Sequence, residues 1–325
     1  MPADPGPYEI GAYDYALPPE LVAQEPLAQR DASRLLVLDR TTGAIQHRTF
    51  ADLAELLRPG DLLVTNRSRV FPARLLGRRA GGGAAEVLLV RRREPLAWDA
   101  LVRPGRRLRP GAVIDIAPGF RVAVEGESAP PLRRVSLLLD GTDADAAIER
   151  HGHVPLPPYI HRPDRPADHD RYQTVFARET GSVAAPTAGL HFTPQLLDRL
   201  RERGIERAEL VLHVGPGTFR PVEVEDVRQH RVDPEPFTIP GDTALAFDRA
   251  RAEGRRVVAV GTTATRALES AVGPDGRLRA GAGETELVIV PGYPFRAVEA
   301  LVTNFHLPRS SLLLLVSALA GRDRT

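Results

Sequence analysis

Cysteine and lysine are both missing from this chain of 325 residues, and all 43 of its Lys+Arg positions are arginine. Without cysteine there is no disulfide framework, thiolate zinc site, iron–sulfur cluster or cysteine nucleophile. Without lysine there is no Schiff-base amine, which excludes pyridoxal phosphate chemistry. Histidine, carboxylates and arginine are left as the groups for proton transfer and anion binding.

Long apolar runs are missing as well. The longest uncharged apolar segment, residues 311–320, has ten residues, about half of what a helix needs to cross a bilayer. The amino terminus has neither the charged nor the apolar region of a signal peptide. We therefore expect a soluble, cytoplasmic protein, and the length is typical of about two domains.

The formal net charge of +1 hides a strong asymmetry. Residues 67–109 contain twelve arginines and three acidic residues, a local charge of +9, so the remainder carries −8. Five short apolar stretches separated by Gly- and Pro-containing turns predict a small antiparallel sheet or barrel in and after this segment: residues 86–90, 98–102, 112–116, 121–124 and 134–139. A basic all-β module is typical of a surface for an anionic partner such as nucleic acid, although a solvated arginine-rich surface has the same pattern.

The flanking segments have a different pattern. A hairpin-like pair (34–39 and 44–48), a helix (50–58) and a strand (61–65) come before the basic segment. After it, predicted helices alternate with apolar strands: helices 194–203, 242–253 and 262–271, and strands 209–213, 256–260 and 286–290. This alternation indicates an α/β domain with parallel strands. The predicted fold class is therefore mixed α/β: a discontinuous α/β domain (1–68 and 150–325) with an inserted basic β-barrel domain (69–149).

Polar, glycine-rich loops follow several of the apolar strands, where α/β proteins bind their ligands. The loop 183–193 contains Gly189 and His191 and leads into a helix. The loop after strand 209–213 contains His213, followed by a turn formed by Gly215, Pro216, Gly217 and Thr218. The two histidines are candidate acid or base groups, but packed loop histidines would look the same, and the glycines can simply shape their turns.

Two further loops carry candidate binding residues. In residues 256–270 a strand and a glycine turn lead into a helix whose first turns contain Thr262, Thr263 and Arg266, a candidate site for a carboxylate or phosphate. An ordinary capped helix is the alternative, because neither of the common phosphate-binding glycine motifs is matched. In residues 300–311, Asn304 and His306 are suited to hydrogen bonding with a base or sugar.

Metal and serine-hydrolase chemistry find little support. His151 and His153 are too close in sequence to form a helical ligand pair, and neither a His-Glu-x-x-His motif nor a facial-triad spacing is present. A Gly-x-Ser-x-Gly elbow is also missing. We expect no metal.

Taken together, the motifs span nearly the whole chain. Besides the four loops, they comprise residues 13–26, 30–34, 71–75, 152–160, 172–177 and 291–293. In this order they resemble the S-adenosylmethionine:tRNA ribosyltransferase-isomerase family of the queuosine pathway. The resemblance implies an α/β domain carrying an inserted β-barrel, in agreement with the pattern of charge and strands.

The resemblance implies an unusual reaction. S-adenosylmethionine is a co-substrate that gives its ribosyl unit, not its methyl group, to the aminomethyl group of a 7-deazaguanine. The acceptor is the wobble base in the anticodon arm of a tRNA with a GUN anticodon. Rearrangement yields epoxyqueuosine, with adenine and methionine released. We expect a monomer without membrane association.

Roles follow from the demands of that reaction. The proton on the carbon beside the sulfonium requires a base, adenine requires a proton donor, and the methionine carboxylate requires an anion site. The candidate catalytic residues are His191, His213, His230 and Glu235. The candidate S-adenosylmethionine-binding residues are Gly189, Gly215, Gly217, Thr218, Thr262, Thr263, Arg266, Asn304 and His306. The candidate tRNA-binding residues are Arg69, Arg74, Arg78, Arg79, Arg91, Arg92 and Arg93.

The sequence departs from the family pattern at three places. Asp233 replaces a histidine of the family's His-x-Met-His-x-Glu stretch, of which His230 and Glu235 are kept, and Arg67 replaces an aspartate. The family pattern also continues beyond Thr325 into a further helix. Two alternatives therefore stay open: a diverged S-adenosylmethionine-dependent transferase acting on a free deazaguanine or another small acceptor, and a non-catalytic tRNA-binding relative.

Overall fold

A computed structural model of the protein describes residues 6–128, 130–141 and 143–325. Residues 1–5 of the predicted α/β segment, and residues 129 and 142 of the predicted insert, lie outside the described residues. The strands are β1 Arg34–Leu38, β2 Ile45–Thr49, β3 Leu62–Asn66, β4 Ser68–Val70, β5 Arg74–Arg79, β6 Ala84–Arg92, β7 Ala97–Arg103, β8 Val113–Ala117, β9 Phe120–Glu127, β10 Arg133–Leu139, β11 Glu179–Ser182, β12 Glu206–Leu212, β13 Glu235–Ile239, β14 Val257–Val260, β15 Gly281–Thr285 and β16 Ala300–Val302. The α-helices are α1 Leu53–Leu56, α2 Ala144–His151, α3 Asp168–Arg171, α4 Pro194–Glu202, α5 Gly241–Ala252, α6 Gly261–Ala271 and α7 Ser311–Ala320.

Strands β5–β10 close into an antiparallel barrel in the order β10-β7-β6-β5-β8-β9. Alternate residues of each strand face inward, so that Leu75, Val87, Ile114 and Val135 are completely buried. The predicted inserted β-barrel is therefore confirmed. Its strand β5 was not among the predicted strands, because Arg74, Gly77 and the arginines at its end do not have the composition typical of strands.

The second sheet has six strands in the order β15-β13-β12-β3-β14-β16. Strands β12, β3, β14 and β16 are mutually parallel; β13 is antiparallel to β12, and β15 is antiparallel to β13. Both faces of β14 are buried: Val257 and Ala259 belong to one hydrophobic cluster, and Val258 and Val260 to another. Helices cover both faces of the parallel part, as the α/β pattern predicts.

The predicted strand 286–290 is wrong. The strand in this region is β15, Gly281–Thr285, which pairs with β13, and residues 286–290 are irregular. The apolar residues of 286–290 indicated burial, and Ile289 is indeed buried, but burial does not require pairing. A Cβ on Gly283 would lie 2.8 Å from the Phe237 ring, so the glycines that disfavour a strand by composition allow this edge to lie close over Phe237.

The other predicted elements are found within a few residues, including the hairpin β1–β2. The exact boundaries of the discontinuous domain (1–68 and 150–325) and of the insert (69–149) stay a prediction. None of the described helices is long and apolar enough to cross a membrane.

Candidate active site

The carboxyl ends of the four parallel strands lie at one edge of the sheet and are followed by the loops selected from the sequence. Asn66 ends β3, His213 follows β12, Gly261 follows β14, and Thr303 follows β16. The loop 183–191 reaches the same edge, because a Cβ on Gly261 would lie 3.7 Å from the Cβ of Ala188. This edge is the ligand-binding edge of open α/β sheets.

A chain of hydrogen bonds runs through His191, which ends a short 3₁₀ turn, Thr187–His191. Its Nε2 lies 3.0 Å from Asn304 Nδ2, and its Nδ1 lies 3.1 Å from Ser33 Oγ. Since Asn304 Nδ2 can only donate, Nε2 accepts and the proton is assigned to Nδ1. Burial lowers the pKa of His191; a backbone contact at Arg30 opposes this shift, and the positive charge of Arg30 adds to it. His191 is therefore a neutral imidazole at pH 7.

His306 is the most strongly shifted histidine. Its Nε2 lies 3.0 Å from Thr303 Oγ1, and its carbonyl accepts a 2.5 Å hydrogen bond from the Tyr15 hydroxyl. Burial lowers the pKa of His306 to about 4. At neutral pH His306 therefore offers hydrogen bonds but no charge.

His213 has no hydrogen bond at its ring within the described part of the chain, and its Nδ1 is buried. The backbone N–H of His213 donates to Pro236 O at 3.0 Å, which fixes the residue at the end of β12. Burial lowers the pKa of His213, and the negative charge of Glu179 opposes the shift. The result is a neutral imidazole with free nitrogen atoms, which is the state a general base requires.

Glu235 and Arg266, selected separately from the sequence, form one buried ion pair. The other oxygen of Glu235, Oε1, accepts from Gly215 N at 2.9 Å and from Thr218 Oγ1 at 2.8 Å. Arg266 Nε donates to Leu287 O at 2.9 Å, and its buried Nη2 has no partner within the described residues. Glu235 thus holds the Gly-Pro-Gly turn and compensates the charge of Arg266. The ion pair as a whole has no net charge, and Arg266 Nη2 is left as a nitrogen that can still donate to a ligand.

A pocket lies beside this ion pair, between the Gly-Pro-Gly turn, α6 and α7. Its lining includes Thr218, Arg266 and Ser311 together with the apolar Leu287 and Leu315. With a volume of about 10 Å³, it has room for about one water molecule and is a small cavity beside the ion pair rather than a ligand pocket.

The amino terminus of α6 has no side-chain cap, because its N-cap is Val260. Gly261, at φ +88°, provides the sharp turn from β14 into the helix. The first amide groups of an uncapped helix lack internal partners and favour an anion. Thr262 and Thr263 are buried in this first turn, and the anion site there stays a prediction.

Asn66 was missed as a site residue. Its Nδ2 donates to Leu212 O at 2.9 Å, its Oδ1 accepts from Leu212 N at 3.1 Å and from Ser68 N at 3.0 Å, and Thr263 Oγ1 lies 3.4 Å from Nδ2. It therefore ties the ends of β3 and β12 to the start of α6. A polar residue at the end of a fully buried strand was the signal that could have identified it.

Other candidates make contacts that suggest packing roles. A Cβ on Gly189 would lie 2.9 Å from Thr174 Cγ2, and one on Gly217 would lie 2.9 Å from Asp233 Oδ2. Burial and the charge of Arg231 lower the pKa of His230. No hydrogen bond joins the His230 ring to the other candidate residues in the described ranges.

Asp233 and Arg67, the two residues expected to differ from the family pattern, both have ion-pair partners. Asp233 lies 3.4 Å from Arg220 Nη1, and Arg67 Nη2 lies 3.3 Å from Glu179 Oε1. The charge at each position is therefore compensated locally. Among the residues that the structure describes, no group of three or more His, Asp and Glu side chains is arranged to hold a metal ion.

Four of the seven arginines predicted to bind tRNA are already paired with carboxylates. The pairs are Arg74 with Glu86 at 3.0 Å, Arg91 with Glu284 at 2.8 Å, Arg93 with Asp99 at 2.6 Å, and Arg92 with Asp145. Arg69, Arg78 and Arg79 have no ion pair within the described residues.

A group of unpaired arginines lies at one end of the barrel. The exposed arginines at the end of β7 and in the β7–β8 connection have no carboxylate partner in the described part of the chain: Arg103, Arg106, Arg107 and Arg109. Strand register places Arg103 opposite Glu86 and Arg78 opposite Ala84, so this connection and the end of β5 share one end of the barrel, away from Arg74. We call Arg78, Arg79, Arg103, Arg106, Arg107 and Arg109 the distal arginine cluster. The last four were not among the predicted tRNA-binding residues.

Comparison with known proteins gives a consistent result. The family model described as "Queuosine biosynthesis protein" matches residues 10–325. Proteins named S-adenosylmethionine:tRNA ribosyltransferase-isomerase from Syntrophotalea carbinolica and Gloeobacter violaceus are 52% and 53% identical to this chain, over 97% and 99% of it and 92% and 91% of their own lengths. The crystal structure of S-adenosylmethionine tRNA ribosyltransferase from Thermotoga maritima is 38% identical, covers 96% of this chain and 91% of that chain, and superposes with a TM-score of 0.52.

Proposed function

Because the chain belongs to the S-adenosylmethionine:tRNA ribosyltransferase-isomerase family of queuosine biosynthesis, we propose that it modifies the wobble base of tRNAs with a GUN anticodon. In the proposed reaction the ribosyl unit of S-adenosylmethionine is transferred to the aminomethyl group of a 7-deazaguanine and isomerised. Epoxyqueuosine forms in the tRNA, and adenine and methionine leave. The reaction would take place in the cytoplasm.

The observation that carries the proposal is the set of neutral, partly buried histidines at the edge that also holds the uncapped start of α6. Burial lowers the pKa of His191, His213 and His306. Neutral imidazoles can remove a proton beside a sulfonium cation without adding a second positive charge to the site beforehand.

We assign the base to His213, because its ring nitrogens have no competing hydrogen bond. His191 and Asn304 form a fixed donor–acceptor pair suited to the departing adenine, and His306 holds the loop that carries Asn304. The methionine carboxylate would bind at the first turn of α6, to the amides of Thr262 and Thr263 and to the free Nη2 of Arg266. Glu235 is assigned a positioning role, since it orients Arg266 and the Gly-Pro-Gly turn.

The distal arginine cluster would bind the tRNA backbone. Arginines without carboxylate partners can exchange counterions for phosphates without first breaking an ion pair, whereas the paired Arg74, Arg91, Arg92 and Arg93 cannot. Arg69, which also has no ion pair within the described residues, lies on β4, the strand that pairs with β11.

Adenine release tests the proposal. The protein is incubated with S-adenosylmethionine and either tRNA bearing the aminomethyl base, the free base, or no acceptor, and adenine is quantified by chromatography. We expect release that depends on the tRNA. Release with the free base alone would favour a small-molecule transferase, and tRNA binding without release would favour a non-catalytic role.

A further inference from the structure

Phe305 is an aromatic residue whose side chain lies outside the hydrophobic core. It is 85% exposed, more than any other large apolar residue described. Single exposed apolar residues are common on protein surfaces, so exposure alone means little. Phe305, however, lies directly between Asn304 and His306, the two residues that bond to His191 and Thr303.

The segment that carries Phe305 is held firmly. Asn304 is tied to His191 at 3.0 Å, and the carbonyl of His306 to the Tyr15 hydroxyl at 2.5 Å. Arg309 closes the segment, with its backbone N–H bonded to Tyr13 O at 2.9 Å and a positive φ of 55°. The ring is therefore presented on a fixed backbone, which reduces the entropy lost when a partner covers it.

The size of the exposed surface indicates what covers it. Small-molecule sites enclose most of their ligand, with walls on several sides, and a ring that is 85% exposed provides a flat platform instead. Bases in single-stranded RNA loops have free faces that stack on aromatic side chains. Resting on the proposed function, we propose that Phe305 stacks on a base of the tRNA anticodon loop next to the acceptor base and thereby positions the loop over the site.

The test compares Phe305→Ala with Phe305→Trp, using a synthetic anticodon stem-loop with a GUN anticodon as the probe. Leu245→Ala is the matched control, since Leu245 is an apolar residue that is 66% exposed on α5. We expect Phe305→Ala to weaken stem-loop binding by roughly 5- to 150-fold, the contribution of one base–aromatic stack. Phe305→Trp and Leu245→Ala should bind within about three-fold of the unaltered protein, because stacking is retained in the first and is not involved in the second.

The introduced indole of Phe305→Trp also gives a direct readout. The natural sequence has one tryptophan, Trp98, which is buried in the barrel, and its response in the unaltered protein is subtracted. The stem-loop should quench the fluorescence of the introduced indole, and S-adenosylmethionine alone should not.

The outcomes separate this inference from the proposed function. Unchanged stem-loop affinity in Phe305→Ala would overturn the stacking role alone. Weakened binding of S-adenosylmethionine with unchanged RNA binding would also overturn it, because the ring would then contact the co-substrate. A lack of stem-loop binding by the unaltered protein would overturn the proposed function, and the stacking role with it.

Discussion

Glu235→Gln offers a quantitative test of the site's electrostatics. Glu235 and Arg266 are 4% and 5% exposed, and glutamine can keep the hydrogen bonds from Gly215 N and Thr218 Oγ1. The substitution therefore removes mainly the charge that compensates Arg266. Removing one partner of a buried ion pair destabilises a protein by about 3–5 kcal/mol, since the other charge stays buried and unpaired.

The assay is urea denaturation of the unaltered protein and of matched variants. Glu284→Gln is the control, because Glu284 is paired with Arg91 at 2.8 Å while both side chains are about half exposed, and such pairs contribute about 0–1 kcal/mol. The double variant Glu235→Gln/Arg266→Met leaves no buried charge and should regain much of the lost stability. If Glu235→Gln were no more destabilising than Glu284→Gln, the reasoning about this buried pair would be wrong.

Three further predictions concern protonation, catalysis and RNA binding. The pKa of His306 is about 4 in the folded protein and about 6.5 when unfolded, so the unfolded state binds more protons between these values. The contribution of His306 to the free energy of unfolding should therefore fall by about 3 kcal/mol as pH drops from 7 to 4. Urea titrations should show a correspondingly smaller loss of stability in His306→Asn. His213→Ala should lower kcat by a factor of about 10²–10⁴ with little change in the affinity for S-adenosylmethionine. Because the pKa of His213 is lowered, the acidic limb of the pH profile of kcat/KM in the unaltered enzyme should lie below pH 6.5. An acidic limb above pH 6.5 would contradict the assignment of His213 as the base. Replacing Arg106 and Arg107 by Ala should reduce the slope of log K against log salt concentration for tRNA by about 2, whereas Arg91→Ala, which removes a paired arginine, should leave it nearly unchanged.

Periodicity and turn residues predicted the barrel and the parallel strands well, because alternating burial and strand-end glycines are local properties of the sequence. The family resemblance, which rests on ordered motifs, is confirmed by the match over residues 10–325. Strand β15 escaped prediction since its pairing depends on close approach to Phe237, which is distant in sequence.

The site could be predicted as a set of loops but not as a network. Glu235 and Arg266 are separated by 31 positions, and nothing in either motif shows that one compensates the other. The same limit applies to the basic segment. Its charge could be counted from the sequence, but the pairing of its arginines could not, because their partners Asp99, Asp145 and Glu284 lie on other strands and on a helix. Asn66 was missed because its role is to join two strand ends.

Transfer of label from S-adenosylmethionine to tRNA tests the central claim most directly. The co-substrate is labelled with ¹⁴C in the ribosyl carbons and ³H in the methyl group and incubated with the protein and tRNA bearing the aminomethyl base. Ribosyl transfer predicts that ¹⁴C enters the tRNA while ³H leaves with methionine. Incorporation of ³H, or of neither label, would contradict it.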